Sequence, residues 1–174
     1  YSAAELKTLM DEIDYLRFKD ANALGAIPLV GSAVNLLFKK GLYEGDFLKN
    51  WIGELLAKKG IKTFGDLVIQ EYADDLQFRY KLQVVVSDIS RGQLLVMPGD
   101  AKDFGINPDA LDVALAVRMS MSIPYFYKPI KQLLPDGRKA YLVDGGILSN
   151  YPLFILDEPG KGFHQDWPTI GFKL

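Results

Sequence analysis

The strongest constraint on the fold is an alternation of extended and helical patterns through the second half of the chain. Tyr80 to Val86 (YKLQVVV) is rich in β-branched residues and reads as a buried strand, and Gln93 to Val96 reads as a second one after an Arg91-Gly92 turn. Asn107 and Pro108 then form a cap and first-turn pair for a helix that runs to about Arg118 and ends before Pro124. Lys139 to Val143 is again a strand, leading into Asp144, and Thr169 to Phe172 has the composition of a last one. Strands alternating with helices predict the α/β class, with a mostly parallel sheet and some hairpin character. With 49% hydrophobic residues in 174, the chain has apolar material for the core of one domain.

The first half reads as helices separated by a long uncharged run. Ser2 and Glu5 have capping-box spacing, and Leu6, Leu9, Met10, Ile13 and Leu16 recur at helical intervals, so Ala3 to about Phe18 is expected as an amphipathic helix. Ala21 to Phe38 carries no charge and is followed by Lys39 and Lys40. Its length touches the lower limit for a membrane span. Asn22, Pro28, Ser32 and Asn35, with Gly25 and Gly31, speak instead for a turn and a short helix from Ser32. Asp46 is placed to cap a further helix whose apolar face is Phe47, Leu48, Trp51, Ile52, Leu55 and Leu56, with Gly60 at its C-terminal stop. There is no internal repeat and no low-complexity tract.

Charge and residue usage narrow the function classes. A net charge of −2 argues against nucleic acid as a partner, because phosphate binding requires clustered excess Lys and Arg. The lack of cysteine excludes a disulfide framework, a thiolate zinc site and a cysteine nucleophile. The opening at Tyr1 matches neither a signal peptide nor a transit segment and reads as a piece of something longer.

The chemistry concentrates in "YLVDGGILSNYPL", Tyr141 to Leu153, where an apolar strand ends on Asp144 and two glycines follow. In parallel sheets the C-terminal ends of strands face the ligand crevice. Gly145 and Gly146 allow positive φ and close backbone approach, so they can turn the chain and hold the carboxylate toward a site. Read locally, Asp-Gly-Gly is a common turn, and the structural reading outweighs the catalytic one.

Together with "AVRMSMSIPYFYKPI", Ala116 to Ile130, this stretch resembles the second half of the patatin-like phospholipase family. There a helix ending in an S-x-S-I-P-x-x-F-like segment precedes a strand carrying Asp-Gly-Gly. "KKGLYEGDFLKNW", Lys39 to Trp51, and the opening "YSAAELKTLM" look like that family's middle region. The resemblance implies a three-layer α/β/α hydrolase fold, incomplete at its N-terminus, with residues 1–174 as a single partial domain, the C-terminal portion of the catalytic domain. It further implies cleavage of lipid acyl esters by a Ser-Asp dyad without cofactor or metal, with the family's acidic residue falling on Asp144 and its turn on Gly145 and Gly146. In such a dyad the carboxylate takes the serine proton with no intervening imidazole, and an acyl-enzyme forms and is hydrolysed.

One departure from the family is large. Its nucleophile lies in Gly-x-Ser-x-Gly and its oxyanion hole in a glycine-rich loop, and neither occurs in these 174 residues. The upstream part of the same domain is expected to carry them. Ser120 and Ser122, before Pro124, read as helix termination and packing rather than as substitutes. His164, in "GKGFHQDWP", would give the chain order Ser, Asp, His of a triad, but its surroundings are those of a loop histidine. Asp74 with Asp75, and Asp100 with Asp103, lack calcium-loop spacing and read as solvated turns.

Two functions from different classes remain. One is a lipid acyl hydrolase acting on a lipid or acyl ester substrate, with Asp144 as base. The other is a non-catalytic lipid-surface or protein-binding module on a hydrolase scaffold. Peripheral membrane contact suits either, since residues 39–62 carry six lysines against three acids beside the apolar run.

Overall fold

The computed structural model describes residues 1–20, 41–75, 77–156 and 170–171. The expectations for Ala21 to Phe38, Lys39, Lys40 and His164 lie outside the described residues, as does the strand at Thr169 to Phe172 apart from Ile170 and Gly171.

Among the described residues, helices α1 (Ala3–Glu12), α2 (Asp46–Ala57) and α3 (Val113–Ser120) accompany six strands: β1 (Gly41–Tyr43), β2 (Val84–Asp88), β3 (Gln93–Met97), β4 (Tyr125–Tyr127), β5 (Ile130–Leu133) and β6 (Lys139–Asp144). The α/β class holds, and the expected mostly parallel sheet does not. The four-stranded sheet has the order β3-β2-β6-β5 with every neighbouring pair antiparallel, and the described parallel pairing is the short β1-β4 ribbon. Asp88 explains the tight β2-β3 hairpin: its buried carboxylate accepts the Ser90 and Arg91 amides and the Arg91 guanidinium at 2.6 Å, while Gly92 takes φ 66°. A two-strand reversal of this length can only give an antiparallel pair.

The core lies between the sheet and α3. Opposed residues on paired strands share a face, so Val84, Val86, Leu95, Met97, Ala140 and Leu142 form one apolar surface. Val113, Ala116 and Met119 of α3, three apart along the helix, complete the same buried cluster with Phe64. Removing each such side chain from water contributes about 1.5–3 kcal/mol, which makes this cluster the main anchor of β6 and of the residue at its end. Behind α3 packs α2, whose expected apolar face is mostly half-buried, with Leu48 fully so.

Three helix boundaries differ from expectation. The first helix stops at Glu12, because Asp14 caps a separate 3-10 turn at Tyr15–Phe18 by accepting the Leu16 amide. The expected capping box at Ser2 and Glu5 is present. At α2 the N-cap is Gly45, φ 78°, not Asp46, and the side chain that serves the helix start is Asp20, whose carboxylate accepts the Gly45 and Phe47 amides at 2.7 Å each. The expected stop at Gly60 has the left-handed φ of 73°. The helix expected from Asn107 to Arg118 is a 3-10 turn at Pro108–Ala110 followed by α3, because Leu111 and Val113 bond across to Phe64 and Lys62 and so take Leu111 and Asp112 out of the helix. Asp112 then starts α3 afresh by accepting the Leu115 amide at 2.7 Å.

Candidate functional site

Strand β6 delivers Asp144 to its C-terminal end beside the centre of the sheet, opposite Val86. Ala140, Leu142 and Val143 have no exposure, so the strand cannot slide without exposing them. The Asp144 amide donates to the Ser122 carbonyl at 3.1 Å, which joins the strand end to the segment that follows α3. Its Oδ1 accepts the Gly146 amide at 2.7 Å and caps a 3-10 turn at Gly145–Ile147. Among the described residues Oδ2 accepts no hydrogen bond. One carboxylate oxygen is thus fixed by the backbone, and the other makes no such bond within the described residues.

Of the two properties expected of the glycines, close approach is used and positive φ is not. Neither has positive φ. Gly145 lies against β2, where a Cβ would stand 2.5 Å from the Val85 carbonyl oxygen, and the buried Ser87 hydroxyl donates to the Gly145 carbonyl at 3.1 Å. A Cβ on Gly146 would stand 3.1 Å from both Asp144 Oδ1 and Asn150 Oδ1. The absence of side chains lets the turn lie flat on the sheet with the carboxylate close above it. Asn150, not singled out by sequence, is brought next to Asp144 by this turn.

Ser122 is fully buried, and its hydroxyl accepts from Arg118 Nη1 and donates to the Arg118 carbonyl at 2.8 Å. Only its carbonyl touches Asp144. Ser120 ends α3 partly buried. The paired aspartates do not gather into a site: Asp75 accepts the Gln77 and Phe78 amides, Asp100 the Val96 amide, and Asp103 pairs with Arg91 at 3.2 Å. Arg118, a cation inside an apolar helix turn, was legible only as a lone charge in "AVRMS", and its role depends on long-range partners.

A cavity of about 560 Å³ opens at the end of β3, with Val96, Met97, Pro98, Phe154 and Ile155 among its walls. Strands β3 and β6 both run antiparallel to β2, so this cavity and Asp144 share one end of the sheet. Its rim holds Asp109, which accepts from Arg79 Nη2 at 2.8 Å and from the Tyr80 hydroxyl at 2.5 Å. The Arg79 guanidinium, and after it the Tyr80 hydroxyl, hold the Asp109 carboxyl below the usual carboxylate range. A depressed folded pKa stabilises the fold above the unfolded value near 4 and loses that contribution as pH falls through the folded value. Asp109→Asn should then lower stability at neutral pH by at most about 1 kcal/mol, since the pair is partly exposed to screening solvent. Urea titrations should show the two proteins converging in acid below the carboxylate range, and a gap that persists there would contradict this account.

A family model described as patatin-like phospholipase matches residues 1–157. The protein described as "Uncharacterized protein YqhO" from Bacillus subtilis (strain 168) is 38% identical over 175 residues, covering all of this chain and 54% of that protein. The chain spans about half the length of the curated relative it matches.

Proposed function

Because this chain belongs to the patatin-like phospholipase family, we propose that it provides the general base of a lipid acyl hydrolase, with Asp144 acting on a serine carried by an upstream part of the same domain. Family membership supports lipid hydrolysis in general. The finer reading is carried by one observation, the carboxylate at the end of β6 with Oδ1 tied to the Gly146 amide and Oδ2 without a bond among the described residues. In the reaction the serine hydroxyl gives its proton to Oδ2 as its oxygen attacks the ester carbonyl. The protonated carboxyl then returns that proton to the departing alcohol, leaving an acyl-serine. Water repeats the cycle: Asp144 takes its proton as its oxygen bonds to the acyl carbon, the bond from that carbon to serine breaks to release the carboxylic acid, and the proton goes back to the serine oxygen.

The surroundings suit an apolar substrate. Met121 and Ile123 flank Ser122, and Ile147 and Leu148 close the turn after Asp144, all more than two-fifths exposed. Peripheral contact with a lipid surface belongs to the same proposal, with the run ending at Leu36, Leu37 and Phe38 and the basic Lys39 and Lys40 as its expected contributors. A fluorophosphonate probe tests the dyad. On the full-length protein it should modify a serine outside residues 1–174, and more slowly when Asp144 is replaced by Asn. Modification at Ser120 or Ser122 would overturn the assignment.

A further inference from the structure

Among the described residues Arg118 and Asp88 are the buried charged side chains, and Asp88 is paired with Arg91. Arg118 sits in the last turn of α3 at 2% exposure, among apolar residues. Among the described residues it forms no direct ion pair, and the carboxylates of Asp20, Asp46 and Glu44 act on it only through space. Burial of a cation without a paired carboxylate is expensive, and an apolar side chain of similar volume would pack there more cheaply. Desolvation accordingly lowers the guanidinium pKa. Stability alone gives little reason for an arginine here.

The geometry supplies a different reason. The planar guanidinium joins three segments: Nη1 donates to Ser122 Oγ, and Nη2 donates to the Glu44 carbonyl and to the Lys128 carbonyl at 3.1 Å. Its Cζ lies 4.8 Å from the centre of the Tyr127 ring. A space is kept for it in the backbone at Gly45, where a Cβ would fall 2.0 Å from Nε and 2.3 Å from Cζ. Lysine lacks the fork of donors that reaches acceptors on opposite sides. The end of this chain of contacts is the candidate site, since the Ser122 carbonyl accepts the Asp144 amide at 3.1 Å.

We propose that Arg118 is a positioning residue for Asp144, fixing the Ser122 peptide so that its carbonyl holds the Asp144 backbone at the end of β6. Arg118 holds the Ser122 hydroxyl twice, through Nη1 and through its own carbonyl, which fixes the Ser122 side chain and, through its Cα, biases the peptide whose carbonyl faces Asp144. The inference rests on the reading of Asp144 as the base. One of its readouts does not: the Gly146 amide donates to Asp144 Oδ1, so its proton chemical shift reports the carboxylate's place independently of turnover.

Arg118→Met and Ser122→Ala in the full-length protein test the idea by amide NMR and by steady-state turnover of a soluble short-chain ester. The Gly146 amide proton should move upfield in both. The kcat should fall about 10- to 100-fold in Arg118→Met and less in Ser122→Ala, with KM held within roughly two-fold, the pattern of a misplaced reacting group rather than lost binding. A folded variant with both the Gly146 resonance and kcat at wild-type values overturns the proposal, and so does a fall in kcat with an unmoved Gly146. Movement of Gly146 with undiminished turnover upholds the positioning and instead refutes Asp144 as the base. Should Arg118→Met fail to fold, Ser122→Ala decides between the same outcomes.

Discussion

Asp144→Asn in the full-length protein should keep its fold and lose turnover by about 10²- to 10⁴-fold, the usual worth of a positioned general base. The substitution is close to a pure removal of proton-accepting power. The amide side chain has the same shape, and its oxygen can still accept the Gly146 amide that Oδ1 accepts now, so the 3-10 turn at Gly145–Ile147 keeps its cap. The Asp144 amide keeps the Ser122 carbonyl, because that contact is backbone to backbone. Stability should then change by no more than about 1 kcal/mol, the net value of an ordinary hydrogen bond. If Asp144 only braces the turn, the result inverts: the thermal midpoint falls and turnover per folded molecule survives. His164→Ala is the necessary companion measurement, since loss of activity there would indicate a triad in place of a dyad.

What the sequence could show about this site was its local part. Strand β6 was legible because Ala140 to Val143 is an uninterrupted apolar run ending on the β-branched Val143, and the structure adds only Asp144 to the expected bounds. The hairpin of β2 and β3 was legible from Arg91-Gly92, although β2 is shifted toward Asp88. Tyr80, at the start of the expected strand, bridges Val68 and sends its hydroxyl to Asp109. Sheet direction was not legible, because it depends on which strand lies beside which, and β2 meets β6 across more than fifty residues. The same holds for the helix starts. Asp46 looked like the cap of α2 by position, yet Asp20 reaches the free amides from far earlier in the chain and leaves that position to Gly45. Asn107-Pro108 gave a correct turn and a wrong continuation, since the bonds from Leu111 and Val113 to Phe64 and Lys62 are tertiary. For Arg118 the sequence offered a lone cation in an apolar helix, and only the fold shows that its acceptors come from three segments.

The two glycines after Asp144 should separate fold from chemistry when each is replaced by alanine. At Gly145 the new methyl group would stand 2.5 Å from the Val85 carbonyl oxygen and 2.8 Å from its carbon, both of them backbone atoms of the central strand. Neither can rotate aside, so the turn must lift off β2 and the bond from Ser87 to the Gly145 carbonyl must lengthen or break. Overpacking of this kind costs about 1–3 kcal/mol, and a displacement near 1 Å at a reacting group costs turnover by about 10²-fold. Gly145→Ala should lose on both measurements. At Gly146 the nearest atoms are side-chain oxygens, Asp144 Oδ1 and Asn150 Oδ1 at 3.1 Å each, and both can yield by rotation. Gly146→Ala should leave stability within about 0.5 kcal/mol while pushing the Asp144 carboxylate off its place, so turnover falls with the fold intact. Equal stability loss in the two variants, measured by thermal unfolding beside kcat, would mean that close approach to Val85 is not what requires glycine at 145.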